Sequence, residues 1–195
     1  LKFNKPLIIS TGMAFENEID KILSFFSISQ LQKTILLKCT SLYPSPDSTI
    51  NLHGMTTLMN RYKYCHVGYS DHTLDDFAPI VAVSMGATVI EKHFTINNKI
   101  KGGDNFISME PNDFRNMVNK IKRIRLMLGY RKIRPTKNEV AKRDTSRRMT
   151  FAKMKINKGV KIQPNMLIFK RPSINSKGIS ALNYKDILGK KTKKN

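Results

Sequence analysis

Two histidines, a glutamate and a set of hydroxyl residues carry the chemistry available in this sequence. His72 stands in Ser70-Asp71-His72-Thr73 and His93 in Glu91-Lys92-His93-Phe94, 21 residues apart. Two imidazoles that meet at one site and leave coordination positions open suit a divalent metal that also takes a substrate oxygen. The same spacing fits a pair of hydrogen-bonded histidines at strand ends. Asp71, next to His72, is a candidate partner for its second ring nitrogen. Ser10, Ser41 and Ser70 each stand at or just past the end of an apolar run. Hydroxyls gathered from three such places can bind a phosphate or carboxylate. Taken singly, each is an ordinary turn or cap residue. Lys101-Gly102-Gly103-Asp104 reads as a loop, either one that closes over a substrate or a plain connector. His53 and His66 lack such settings and read as structural.

What would bring these groups together is an alternation of textures over residues 7–128. Short β-branched or apolar runs at 7–10, 34–39, 66–69 and 88–94 read as buried strands. Residues 16–26, 55–62, 75–85 and 112–128 have helical spacing. In the last of these, Phe114, Met117, Val118, Ile121, Ile124 and Leu128 share one face; Pro111 opens the helix and Gly129 follows it. Four βα units imply a mainly parallel sheet, either half of a (β/α)8 barrel or a small open doubly wound domain. In both, sites form at the carboxyl ends of strands, where every motif above lies. The half-barrel reading places the other half upstream of Leu1, in keeping with a chain that opens almost directly on an apolar run.

The remainder is different in kind. The chain has 195 residues and a net charge of +21. Residues 1–119 are balanced, with 11 basic and 11 acidic side chains, so the whole excess lies in 120–195, with 24 against 3. A basic segment suits nucleic acid, a membrane surface or an anionic substrate, although lysine is abundant along the whole chain. Residues 130–148 are rich in Lys and Arg, poor in apolar residues, and read as a basic linker between a domain at 1–129 and a small unit at 149–195. In that unit 149–156 and 166–170 read as strands, Asn157-Lys158-Gly159 as a turn and 181–189 as a short helix. Two cysteines form no disulfide framework, which fits a reducing, cytoplasmic location. No stretch is apolar enough to span a membrane.

Ser-Thr-Gly-Met at 10–13, Cys-Thr-Ser-Leu-Tyr-Pro at 39–44, Gly-Tyr-Ser-Asp-His-Thr at 68–73 and Glu-Lys-His-Phe-Thr at 91–95 resemble the signature segments of sialic acid synthases. Ser-Met-Glu-Pro at 108–111 and Lys-Arg-Pro at 170–172 match as well. The segments occur in family order across nearly the whole chain. The resemblance implies the carboxyl-terminal half of a (β/α)8 TIM barrel followed by a small β-rich antifreeze-like (SAF) domain. It implies a domain-swapped homodimer in which that domain reaches over the partner's site. The implied activity joins phosphoenolpyruvate to N-acetylmannosamine, giving a nine-carbon sugar acid and phosphate. The implied metal, Mn2+ or Mg2+, is held by His72 and His93. Residues matching Ser10, Ser41 and Ser70 contact phosphoenolpyruvate; Tyr43, Asp104 and Arg171 face the amino sugar. Glu91 positions the reacting water or stabilises the cation it attacks.

The sequence departs from the pattern in three places. Its loop reads Gly-Gly-Asp-Asn where many relatives have Gly-Pro-Asp. It ends at Asn195, before the small domain usually ends. It contains none of the first barrel half, which in the family supplies a lysine and a second glutamate, so these residues alone are expected to be inactive and to aggregate. Three alternatives follow. Another amino sugar would make the enzyme a pseudaminic or legionaminic acid synthase. Residues 120–195 could be a basic nucleic-acid-binding fragment, although they carry no such motif and few aromatics. The chain could be a truncated pseudoenzyme, against which His72, His93 and Glu91 stand intact. A membrane is not among the expected partners.

Overall fold

In the computed structural model, residues 5–173, 176 and 178–194 are described. The chain divides into two compact units, Leu1–Tyr130 and Arg131–Asn195.

The first unit alternates strands and helices. In order these are β1 (Leu7–Ser10), α1 (Glu16–Leu23), α2 (Ile28–Leu31), β2 (Thr34–Cys39), α3 (Asp47–Ile50), α4 (His53–Arg61), β3 (His66–Asp71), α5 (Phe77–Ser84), β4 (Ile90–Lys92) and α6 (Pro111–Leu128). The strands form one parallel sheet in the order β1-β2-β3-β4. Each strand lies beside its predecessor, without the reversal that marks a doubly wound sheet, so the order is that of a barrel segment.

Side chains alternate across this sheet. One face of β2 and β3 presents Leu36, Val67 and Tyr69 to Met55 and Leu58 of α4 and to Ala78 and Ala82 of α5. Leu36 and Met55 are wholly buried, and each such side chain contributes roughly 1.5–3 kcal/mol. On the other face, Leu37 passes so close to Gly68 that a Cβ there would lie 2.6 Å from the leucine and 2.5 Å from the Val89 carbonyl. The glycine that opens the third motif is therefore fixed by packing between neighbouring strands.

Two strands of this sheet differ in extent from those read in sequence. The third strand runs on to Asp71, because Ser70 and Asp71 find partners at Glu91 and Lys92. The fourth is confined to Ile90–Lys92, and only an isolated bridge, Phe94 to Met109, continues it. Helix α6 begins at Pro111 and buries Met117, while Phe114 packs edge-on against Phe94 with centroids 5.5 Å apart. Leu128, at the end of its apolar stripe, is exposed. No helix among the described residues is long and apolar enough to cross a membrane.

The second unit contains α7 (Lys137–Ser146), β5 (Met149–Ala152), β6 (Leu167–Lys170) and β7 (Ile179–Ser180). Its strands form an antiparallel sheet in the order β6-β5-β7. Helix α7 lies inside the stretch that composition marks as a linker. Its start is specified by a capping box: Thr136 Oγ1 accepts from the Glu139 amide and Glu139 accepts from the Thr136 amide at 2.7 Å. That signal is local and independent of apolar content, which is why composition overlooks it. Gly159 supplies the positive φ of 84° that the turn at 157–159 requires.

Candidate functional site

The strand period sorts the motif residues into two sets. Ile9, Leu36, Tyr69 and Ile90 face the helices. Ser10, Leu37, Ser70 and Glu91, one residue further on, therefore face the opposite side of the sheet. Cys39, Ser41, His72 and His93 continue that side at the carboxyl ends of their strands.

His72 is buried. Its Nδ1 lies 2.8 Å from the Thr40 carbonyl oxygen and 3.9 Å from Cys39 Sγ. A carbonyl only accepts, so Nδ1 carries a hydrogen, and in the neutral ring Nε2 is then the nitrogen with the lone pair. The rings of His72 and His93 have centroids 5.1 Å apart at 64°. Tyr43 closes the group, 4.2 Å from the His72 ring and 5.8 Å from the His93 ring. Desolvation around the Tyr43 hydroxyl raises its phenol above the ordinary range, with Cys39, Asp104 and Glu91 adding to the effect. The phenol is thus a neutral donor at neutral pH. Asp104 joins from the glycine loop, its Oδ2 3.8 Å from His93 Nδ1.

Beside the histidines, Ser70 donates to Glu91 Oε1 at 2.7 Å across β3 and β4. Ser70, Glu91 and His93 line a depression of about 240 Å³. Ser41 Oγ stands 3.8 Å from Cys39 Sγ. Ser10 Oγ accepts from the Gly12 amide at 3.4 Å, so its hydroxyl also serves a local turn. Gly12 leaves room for the next strand's hydroxyl: a Cβ there would come within 2.3 Å of Ser41 Oγ. The first unit therefore brings Tyr43, Ser70, His72, Glu91, His93 and Asp104 together, with Ser10 and Ser41 on adjoining strand ends. Arg171 belongs to the second unit, where it follows β6 and is exposed.

Asp71 is not the partner of His72. It points to the helix side, fully buried, and forms an ion pair with Lys92 Nζ at 2.5 Å. Tyr69 Oη donates to Asp71 Oδ1 at 2.9 Å, the Thr73 amide to Oδ1 at 3.1 Å, and Thr73 Oγ1 to Oδ2 at 2.9 Å. Lys92 also donates to the carbonyls of Thr73 and Asp75. Adjacency to His72 suggests the wrong partner because neighbouring strand residues face opposite ways. The signal for the true pair was present: Asp71 and Lys92 each occupy an outward position one residue before a histidine.

The donor set fits a divalent cation. His72 has one nitrogen engaged by a backbone carbonyl and the other free, the arrangement that orients a metal-ligating imidazole. His93 stands beside it. Among the described residues no group of three His, Cys, Asp or Glu side chains is arranged to hold a metal. A cation held by these two imidazoles alone would keep its remaining positions for substrate and water.

Comparison with known proteins gives the chain its relatives. The NeuB family profile matches residues 1–133. The chain is 37% identical over 196 residues to the N,N'-diacetyllegionaminic acid synthase of Campylobacter jejuni, covering 100% of this chain and 58% of that protein. It is 35% identical over 193 residues to the pseudaminic acid synthase of the same species, covering 99% and 55%. Among solved structures, the N-acetylneuraminic acid synthetase of Leptospira borgpetersenii, in complex with citrate, superposes with a TM-score of 0.61 at 35% identity. That match covers 71% of this chain and 49% of the other. The chain thus spans about half the length of these relatives, and its curled parallel sheet is a half-barrel that matches the synthase structure.

Proposed function

The chain belongs to the NeuB family, and on that basis we propose that it is part of a nonulosonic acid synthase condensing phosphoenolpyruvate with an N-acetylated amino sugar. The observation that carries this reading is the gathering of His72, His93, Tyr43, Ser70 and Glu91 on one side of the strand ends. The sugar proposed is N-acetylmannosamine, giving N-acetylneuraminate. The similarity to the two Campylobacter enzymes supports a second reading, in which the amino-sugar precursor of legionaminic or pseudaminic acid takes its place.

In this reaction the methylene carbon of phosphoenolpyruvate attacks the aldehyde carbon of the open-chain sugar, whose oxygen takes a proton. Water adds to the cation left at the enol carbon, and the carbon–oxygen bond to phosphate breaks. A divalent cation on His72 and His93, Mn2+ or Mg2+, would supply Lewis acidity toward the aldehyde oxygen. The hydroxyls of Ser10 and Ser41 serve phosphate and carboxylate as neutral donors, and Ser70 joins them when its single hydrogen turns from Glu91 to the bound anion. Glu91, held by Ser70 at 2.7 Å, places a negative charge where the cation develops and can accept the proton of the incoming water. Tyr43, a neutral phenol, and Asp104 offer a donor and an acceptor to the sugar. Arg171 belongs to residues 149–195, which we read as a SAF-like domain that serves the site of a partner subunit in a homodimer. The reaction fits a cytoplasmic location.

Phosphate release by the intact enzyme tests the proposal. Phosphoenolpyruvate and Mn2+ are supplied with N-acetylmannosamine or with either alternative precursor, and wild type is compared with His72→Ala/His93→Ala. Release that requires one sugar and both histidines is expected. Release independent of the histidines would overturn the site. No release with any of the three sugars would overturn the activity.

A further inference from the structure

We propose that the buried Asp71–Lys92 ion pair is a positioning device that sets the spacing of His72 and His93, and with it the affinity of the site for a divalent cation. This inference rests on the metal reading above and deepens it. The pair bridges β3 and β4 at the last rung of their ladder, Asp71 opposite Lys92. Each member immediately precedes a histidine, so the two imidazoles project from backbone that the pair holds together. The grip on His72 is double, since Asp71 lies before it and Thr73 after it. Thr73 donates to Asp71 through both its amide and its hydroxyl, and its carbonyl accepts from Lys92. Lys92 also binds the Asp75 carbonyl at 2.9 Å, fixing the turn into α5.

Both charged side chains are essentially inaccessible, at 1% and 0% exposure. A buried ion pair recovers its desolvation cost only when its geometry is tight, and an apolar pair of equal volume often stabilises a fold as well or better. What an apolar pair lacks is direction. Five hydrogen-bonded points around one carboxylate and one ammonium define the strand separation more narrowly than packing does. Their side chains are buried on the helix side of the sheet, so the pair acts through the histidines. Outer partners of metal ligands commonly govern affinity by 10- to 100-fold.

The test measures Mn2+ binding directly, from the free-ion electron paramagnetic resonance signal, on the intact enzyme without substrates. The double variant Asp71→Asn/Lys92→Met removes both charges and leaves neither alone. It is expected to melt cooperatively and to bind Mn2+ at least 10-fold more weakly than wild type. Leu58→Ala, a core change on α4, is expected to lower the melting temperature and leave Mn2+ affinity within twofold, which separates positioning from stability. A folded double variant with wild-type affinity would sink the inference while leaving the metal reading in place. A wild type that binds no Mn2+ would sink both. Should the double variant not fold, Tyr69→Phe removes one donor to the same carboxylate at nearly constant volume. Two- to fivefold weaker binding by Tyr69→Phe supports the inference, and unchanged binding overturns it.

Discussion

His72 donates its Nδ1 hydrogen to the Thr40 carbonyl at 2.8 Å, and this one bond leaves Nε2 as the nitrogen free to bind a ligand. A histidine in the last turn of a packed strand end, with its tautomer set by backbone, is a preorganised donor. Replacing both His72 and His93 by alanine should abolish Mn2+ binding. A cation worth several kcal/mol of transition-state stabilisation would then be lost, lowering kcat/KM by roughly 10³-fold. Steady-state phosphate release at saturating Mn2+ checks this.

Tyr43 stacks against His72 with centroids 4.2 Å apart and presents its hydroxyl near Asp104 and Glu91. Tyr43→Phe keeps the ring and removes the donor. KM for the amino sugar should rise about fivefold, the equivalent of one neutral hydrogen bond of about 1 kcal/mol. KM for phosphoenolpyruvate should stay unchanged. Parallel kinetics with the two substrates varied in turn will show which one responds.

Gly12 and Gly68 are held by different neighbours, so alanine should act differently at each. At Gly12 the new methyl meets the Ser41 hydroxyl, which can rotate away. Gly12→Ala should raise KM for phosphoenolpyruvate with little change in melting temperature. At Gly68 the methyl meets the backbone carbonyl of Val89 at 2.5 Å, which cannot move without shifting the strand. Gly68→Ala should destabilise the fold by about 1–3 kcal/mol, read by urea unfolding.

Asp20 on α1 accepts from Arg61 of α4 and from Tyr62, and the Arg61 guanidinium holds its carboxyl below the ordinary value. A depressed carboxyl contributes stability above its unfolded value of about 4 and loses it as pH falls through the folded value. Wild type and Asp20→Asn should therefore differ in melting temperature at neutral pH, the wild type being higher. The two curves should converge once the pH has fallen below the depressed folded value of the carboxyl. A gap that persisted in acid would assign the effect to packing.

Much of the fold was legible in the residues themselves. Apolar runs, the stripe on α6 and its flanking Pro111 and Gly129 are local signals, and the structure follows them within a few residues. Helix α7 was missed because composition masked its capping box at Thr136 and Glu139. The short helices α2 and α3 were missed because four residues carry no measurable period.

The sequence by itself determined which groups sit at strand ends, because chemistry-bearing residues follow each apolar run and a parallel sheet sends all those ends one way. It did not determine who meets whom. That Ser70 reaches Glu91, that His72 turns to Thr40, and that Asp71 closes on Lys92 depend on the register between β2, β3 and β4. Register is decided by side chains packing across strands and against the helices. Those contacts join residues 21 to 32 apart, and only the folded chain brings them within bonding distance.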